Sequence, residues 1–309
     1  MIYTCTMNPA IDLFCKMKRF VPEAVNRSFY EEYQPNGKGI NVSIVLHRLG
    51  IQSTALGFLG GFSGGFIKEE LDGMGIANDF VDIEGITRIN TFIQSEDGEY
   101  KVVNGGPEVS KEKQDILIRQ ISMLGSDDVL FVSGSLPKGV DREILLDIAS
   151  LSVEKGFKLI WDISETILSD LVAYRPYLIK PNIDEFRNIF PDADINTDAD
   201  IIRYGKALVQ SGVENLIISM GDEGAWFFNA SGVLKSNAPE GEVVNTACSG
   251  DALLGTFYAT LAQGSEPSDA LAEAVAAGSS TAFTSGLTDF EDVADLKSTI
   301  KITEVEGAL

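Results

Sequence analysis

The amino-acid sequence predicts an α/β fold: a mainly parallel central sheet covered by helices on both faces, with a small β-sheet inserted into it. Two observations predict this. From about residue 34 onward, short apolar and β-branched runs alternate with stretches of helical apolar spacing, and strands separated by helices pair in parallel under two helical layers. In two blocks, about 11–33 and 85–107, strand-like runs follow one another with no helix between them, as an inserted sheet requires.

Taken in order, residues 2–6 form a β-branched strand ended by Asn8-Pro9. Residues 13–20, 29–33, 90–95 and 99–104 are expected as strands of the insert, the last two joined by Asp97-Gly98, a pair suited to a tight hairpin turn with positive φ. Elsewhere helices are expected at 40–49, 66–74, 111–124, 142–155, 167–172, 184–189 and 199–210, and strands at 53–59, 80–83, 129–133, 159–162, 177–180 and 216–219. A helix beginning near Asp251 and an Ala-rich helix over 269–284 follow; the small residues of the latter suit close helix packing.

Composition removes several functions. With 24 Lys+Arg against 46 Asp+Glu the formal charge is −22, which argues against binding nucleic acid or an anionic membrane. An anionic ligand must then be held by local cations and backbone dipoles. Cys5, Cys15 and Cys248 are an odd number at no metal-ligand spacing, so no disulfide framework is expected. No apolar signal-peptide core precedes Asp12 and Lys16, and no segment is apolar for long enough to span a bilayer; the expected setting is the reducing cytoplasm. A single histidine, His47, disfavours Ser-His-Asp hydrolysis and multi-histidine metal sites.

Chemistry concentrates at 242–258. The small, polar segment 245–250 leads into Leu253, Leu254, Phe257, Tyr258 and Leu261 at helical spacing, with Asp251 in the first turn. Free N–H groups and the helix dipole make such a start an anion site. A carboxylate there would repel a phosphate it touched, so its natural place is beside the group that attacks the phosphorus. The alternative is a plain N-terminal cap worth about 0.5–2 kcal/mol.

Gly57 to Gly65 lacks the Lys-Ser/Thr sequel of a P-loop, and neither a dinucleotide fingerprint nor the protein-kinase signature is present. Three weaker segments remain. Pro35-Asn36-Gly37-Lys38-Gly39-Ile40-Asn41 opens a helix with a cation and a carboxamide near its start. Lys180-Pro181-Asn182 with Glu185 suits either a water-rich Mg²⁺ shell or a capping box. Ser219 with Gly221 and Gly224 fits around a polyphosphate or makes a hairpin.

In sequence order come Asn8 and Asp12, Gly37-Lys38-Gly39-Ile40-Asn41, Arg88-Ile89-Asn90, Ser133-Gly134-Ser135-Leu136-Pro137, Lys180-Pro181-Asn182 with Glu185, Ser219 with Gly221 and Gly224, and Asn245-Thr246 with Gly250-Asp251. Over nearly the full chain this order resembles the ribokinase superfamily, in its phosphofructokinase B branch. Gly75-Ile76-Ala77-Asn78 followed by Thr87-Arg88-Ile89-Asn90 turns the resemblance toward members acting on fructose 1-phosphate.

The resemblance implies a ribokinase-like three-layer α/β/α sandwich at 1–10, 34–84 and 108–309, and a β-sheet lid at 11–33 and 85–107. The implied reaction is ATP-dependent phosphorylation of the 6-hydroxyl of fructose 1-phosphate. Tagatose 6-phosphate is the alternative acceptor, and a non-catalytic nucleotide or sugar-phosphate sensor the alternative of another class. By resemblance Asp251 is the base, and the N–H groups around Ser249, Gly250 and Asp251 the anion hole, in the turn that Cys248 opens. Asp12, Gly37, Lys38, Asn41 and Asn90 match positions on the sugar side, while Arg27, Arg88 and Ser135 would grip its phosphate. Lys180, Asn182, Ser219, Gly221, Gly224 and Gly250 would face ATP, with Asn182 and Glu185 near Mg²⁺. Family members often also use K⁺ held by backbone carbonyls near the turn. The lid would exclude water and form a homodimer contact; neither nucleic acid nor membrane is an expected partner.

The chain departs from the family pattern twice. Cys248-Ser249-Gly250-Asp251 stands where Gly-Ala-Gly-Asp is usual. If that first position needs positive φ, the exchange costs about 1–3 kcal/mol. The Cys248 thiol there is either acidified by the helix start or inert and packed. Pro35-Asn36 replaces small residues before Gly37, which alters the shape of the sugar pocket.

Overall fold

The computed structural model describes residues 1–164 and 167–305. Its strands in chain order are β1 (Ile2–Thr6), β2 (Ala10–Lys16), β3 (Tyr30–Asn36), β4 (Thr54–Leu59), β5 (Ala77–Asn78), β6 (Val81–Asp82), β7 (Arg88–Ser95), β8 (Gly98–Val102), β9 (Val129–Gly134), β10 (Lys158–Ile163), β11 (Leu178–Ile179), β12 (Asn215–Ser219), β13 (Ala225–Asn229), β14 (Gly232–Ser236) and β15 (Ile302–Glu304). The helices are α1 (Lys38–Arg48), α2 (Gly61–Met74), α3 (Lys111–Ile121), α4 (Glu143–Lys155), α5 (Leu168–Leu171), α6 (Ile183–Ile189), α7 (Asp198–Gln210), α8 (Ser249–Ala262), α9 (Pro267–Phe283) and α10 (Val293–Thr299).

The central sheet runs β15-β14-β13-β12-β11-β10-β9-β1-β4-β5, with β6 also on β4. From β12 to β5 neighbouring strands are parallel, and β13 to β15 extend the sheet antiparallel. Strands of this kind are buried on both faces, which is why Val129-Leu130-Phe131-Val132 is continuously apolar. Leu130 and Val132 pack with α3 and α4 through Leu117, Ile121, Leu145 and Ile148. Val129 and Phe131 point the other way, to Val42 and Leu46 of α1 and Leu254 and Phe257 of α8. The expected mainly parallel α/β sandwich is the observed architecture.

A second sheet, ordered β3-β2-β7-β8, stands beside the first. Asp12 is level with Asn90, and Phe14 with Phe92, whose rings stack at 5.0 Å. β2 starts at Ala10 rather than at 13 because Ala10 and Ile11 are buried and already paired with Arg88 and Ile89. β3 runs on to Asn36, past the expected end at 33. Pro35 does not stop it because β3 is an edge strand, where a missing N–H is tolerated. α2 begins at Gly61, five residues before the expected start at 66, and β14, β15 and α10 lie outside the expected elements.

Candidate active site

Three parallel strands deliver polar residues at their carboxyl ends: Asp162 in β10, Lys180 just past β11 and Ser219 in β12. Ligands in open α/β sheets bind at such ends. From the helical layer packed on the sheet, the N-termini of α1 and α8 reach the same place. Gly37, the N-cap of α1, has φ 146°, and a Cβ on it would lie 2.5 Å from Thr6 Cγ2. The glycine therefore lets α1 start directly on the end of β1, where Thr6 Oγ1 accepts from Ile40 N–H at 3.0 Å. That docking aims Lys38 and Asn41 at the strand ends.

Asn41 Nδ2 donates to Asp251 Oδ2 at 2.8 Å, and Lys38 Nζ donates to Asp162 Oδ1 at 3.0 Å. Lys180 Nζ lies 3.3 Å from Asp162 Oδ2, an ion-pair contact without hydrogen-bond geometry. Asp251, Asp162 and Lys180 are only 5%, 1% and 4% exposed. Both ammonium groups thus pair with Asp162, while Asp251 feels them only as nearby charges, and the two buried carboxyls are pushed apart. Burial, then the charge of Asp162, push Asp251 up to about 7 against Lys38, Asn41 and Lys180. Burial also acts to raise Asp162, but Lys180 and Lys38 outweigh it and hold this carboxyl below its ordinary range. Burial opposes the charge on Lys38, yet Asp162, Asp251 and Glu185 prevail and raise it. Asp162 was not among the residues singled out in the sequence; its one signal is a carboxylate inside the apolar run Leu159-Ile160-Trp161-Asp162-Ile163.

The turn before α8 answers the question posed by its cysteine. Cys248 sits at φ 65°, ψ −4°, in the left-handed region, so the position does need positive φ and the residue carries the strain. Its Sγ lies 3.2 Å from Asn41 Nδ2 and 3.6 Å from Asn36 Nδ2. Burial, then Asp251, push the thiol well above its ordinary range, the direction of a packed cysteine and opposite to that of an acidified one. The N–H groups of Asp251 and Ala252 both bond Cys248 O, at 3.0 and 2.9 Å, and Ser249 N–H reaches Thr246 O at 3.4 Å. Gly250 N–H is not spent in these contacts, and a Cβ on Gly250 would lie 3.1 Å from Lys180 Nζ. The helix start and the ammonium therefore adjoin, an arrangement that holds an anion. Ser249 Oγ is buried and, among the described residues, without a hydrogen-bond partner.

On the second sheet Asp12 accepts from Asn90 Nδ2 at 2.8 Å and Asn36 Nδ2 at 2.7 Å. Burial pushes Asp12 up, against Asn90, Arg88 and Asn36. Asn36 was noticed in the sequence only as a departure, yet it joins this group to Asn41, whose Nδ2 lies 3.0 Å from Asn36 Oδ1. Arg88 donates to the carbonyls of Asn8, Pro9 and Asn104 at 2.7, 3.3 and 3.2 Å. Its guanidinium thereby fastens the chain beside Asn8, whose Nδ2 donates to Ser135 Oγ at 3.2 Å. Arg27 is exposed in the 17–29 connection, at the opposite end of β2 and β3 from Asp12 and Asn36. One chain does not bring it to the cluster.

Towards the edge of the central sheet the simpler readings are also realised. Asn182 caps α6: its Oδ1 accepts from Glu185 N–H at 2.8 Å while Glu185 Oε2 accepts from Asn182 N–H at 3.0 Å. The remaining Glu185 oxygen, Oε1, accepts from Ser164 Oγ at 2.9 Å. Ser219 ends β12, and Gly221 to Gly224 form its hairpin to β13. Gly224 has φ 95°, and a Cβ there would lie 2.2 Å from Ser236 O. Among the described residues no group of three or more His, Cys, Asp or Glu side chains is placed to hold a metal. One carboxylate beside an amide fits only a hard cation that keeps most of its water or shares phosphate oxygens.

The pfkB family carbohydrate kinase pattern matches residues 5–293. The chain is 46% identical over 305 residues to the D-tagatose-1-phosphate kinase of Bacillus licheniformis, covering 99% of this chain and 100% of that one. It is 37% identical over 306 residues to the 1-phosphofructokinase of Borreliella burgdorferi, covering 99% of each. Phosphofructokinase-2 from Escherichia coli, solved in complex with potassium, superimposes with a TM-score of 0.89 at 26% identity, over 96% of this chain and 98% of that one.

Proposed function

The chain belongs to the pfkB family of carbohydrate kinases and is a sugar-phosphate kinase, and we propose that it transfers the γ-phosphoryl group of ATP to the 6-hydroxyl of a ketohexose 1-phosphate, with fructose 1-phosphate as acceptor. The observation that carries this reading is Asp251: a buried carboxylate held by Asn41 at a helix start, beside the ammonium of Lys180.

Asp251 takes the proton of the sugar hydroxyl as that oxygen attacks. A base near 7 matches neutral pH. Phosphoryl transfer is largely dissociative, so charge stabilisation and alignment contribute most of the rate. Gly250 N–H and Lys180 lie where negative charge gathers on the transferring group. Asp162 keeps the two lysines oriented and partly neutralised. Asp12, with Asn90 and Asn36, accepts hydroxyls of the sugar; Ser135 and Asn8 face its phosphate, with Arg88 holding that loop.

The nucleotide lies along Lys180, Asn182, Ser219, Gly221 and Gly224. Asn182 and Glu185 would meet a Mg²⁺ through its water, and that ion would neutralise phosphate charge. Oxygen donors for K⁺ beside the turn are backbone carbonyls; that of Ala282 accepts from Val244 and Asn245 N–H at 2.8 and 3.0 Å, which keeps this loop against the turn. The second sheet serves as a lid, and its far face, where Tyr33 and Val102 are half exposed, as a homodimer contact.

D-tagatose 1-phosphate, the C4 epimer, is the second reading, favoured by the relative at 46% identity. An ADP-release assay over fructose 1-phosphate, D-tagatose 1-phosphate, fructose 6-phosphate, tagatose 6-phosphate and ribose tests both. Turnover of a ketohexose 1-phosphate is expected. Turnover of ribose alone would refute the phosphate-gripping roles.

A further inference from the structure

Asn36 ends the edge strand of the second sheet, and the chain passes from it through Gly37 into α1. Its carboxamide therefore stands at the seam between the sheet that carries Asp12 and the helix that carries Asn41. Oδ1 faces Gly37 N–H and Asn41 Nδ2, two donors. This fixes which way the amide points, since only the nitrogen can then meet Asp12. Nδ2 donates to Asp12 Oδ2 at 2.7 Å, while Asn41 donates onward to Asp251 Oδ2 at 2.8 Å. Two buried carboxylates from different layers are thus joined through two carboxamides.

We propose that Asn36 is a positioning residue for the acceptor sugar: it sets the direction of the Asp12 carboxylate and ties it to the Asn41–Asp251 pair, so that the grip on the sugar and the base keep one geometry. The inference rests on the kinase reading above. A carboxylate offers about four lone-pair directions. Asn90 takes one on Oδ1 and Asn36 one on Oδ2, so the directions left for sugar hydroxyls are determined. A residue without a donor at position 36 would leave Asp12 oriented from one side only.

The charged and titratable groups facing Asp12 are Arg88 from β7 and the Cys248 thiol from the turn before α8; the neutral amides of Asn90 and Asn36 complete its surroundings. Loss of the Asn36 donor removes one interaction that favours the ionised form. Asp12 should then take up a proton at higher pH.

Steady-state kinetics of the full chain and of Asn36→Ala and Asn36→Asp, over a pH series with ATP and the ketohexose 1-phosphate that the native chain turns over, test this. Asn36→Ala is expected to raise the sugar KM about tenfold or more, leave the ATP KM unchanged, and steepen the acid limb of kcat/KM for the sugar beneath the fall that Asp251 sets. Asn36→Asp, isosteric and able to fold if the alanine variant does not, is expected to lose sugar affinity progressively as pH rises, because two adjacent carboxylates resist ionising together. A sugar KM within about twofold of native in folded Asn36→Ala, or in Asn36→Asp at the alkaline end of the series, or sugar and ATP KM rising together with the acid limb unchanged, would overturn the inference while leaving the kinase reading intact. No turnover of any sugar phosphate by the native chain would overturn both.

Discussion

Helices α1 and α8 meet at the strand ends, and each begins at a residue with positive φ, Gly37 at 146° and Cys248 at 65°. They use that geometry differently. At α1 a side chain is excluded by space, because its Cβ would strike Thr6. At α8 only the torsion is unfavourable, and the thiol finds a place against Asn41 and Asn36. The charges differ too: α1 presents Lys38, paired with Asp162, whereas α8 presents Asp251, for which no cation is a direct partner among the described residues. One start is built for rigid placement, and the other keeps a carboxylate poised to change its protonation.

The comparison breaks most sharply at Asp251. Asp251→Asn keeps an oxygen to accept from Asn41 and removes the carboxylate proposed as base. The expected result is a kcat lower by several orders of magnitude, with ATP and sugar-phosphate binding largely retained in calorimetry. Equal and negligible rates in the native and variant chains would favour a sensor. Gly37→Ala should come next. A forbidden contact and a positive φ together are expected to lower stability by about 2–4 kcal/mol, read as an earlier urea midpoint with unchanged slope, and to raise the sugar KM as Lys38 and Asn41 shift.

A third test uses pH. Asp251 stands at about 7 in the folded chain against 3.8 for the ordinary group. A carboxyl raised on folding contributes stability that is fully present below the unfolded value and is lost as pH rises through the folded one. Asp251→Asn should therefore raise the melting temperature more at pH 8 than at pH 5. Activity has the opposite sense, since the proposed base must be ionised, and native kcat/KM should fall as pH drops below about 7. A melting difference that does not change with pH would refute this account of the buried carboxylate.

Legibility in the sequence follows the same division. The turn at Asp251 and the start at Lys38 were readable because small residues, a charge and helical apolar spacing occur within a few positions of each other. Central strands such as Leu130 to Val132 were readable because burial on both faces makes them uniformly apolar. Asp162 was not, because its meaning comes from Lys38 and Lys180, which reach it only through the parallel order of β9, β10 and β11. The ends of β2 and β3 were misjudged for a related reason. Whether Pro35 stops a strand depends on the strand's place at the sheet edge, which local pattern does not carry. Arg88 could be singled out as a cation for the sugar's phosphate, but that its donors go to three carbonyls is a property of the folded loop.

The smallest expected effect lies at Cys248. Cys248→Gly removes the torsional strain and also the thiol that occupies the space between Asn41 and Asn36. Relief of a left-handed non-glycine residue is worth about 1 kcal/mol, and the added freedom of glycine in the unfolded chain offsets part of it. The net change in melting temperature should therefore be within about 2 °C of zero. Kinetics discriminate better. If the thiol only fills space, the variant keeps native kcat and sugar KM, and the departure from the usual glycine is neutral. If the thiol holds Asn41 in line with Asp251, the variant loses kcat while its ATP KM stays. The two protons of Asn41 Nδ2 already have oxygen acceptors, Asp251 Oδ2 at 2.8 Å and Asn36 Oδ1 at 3.0 Å. A neutral thiol is also a weaker acceptor than a carboxylate, so the native rate is the expected outcome, and α8 should accept a side chain or none at its N-cap, where α1 accepts none.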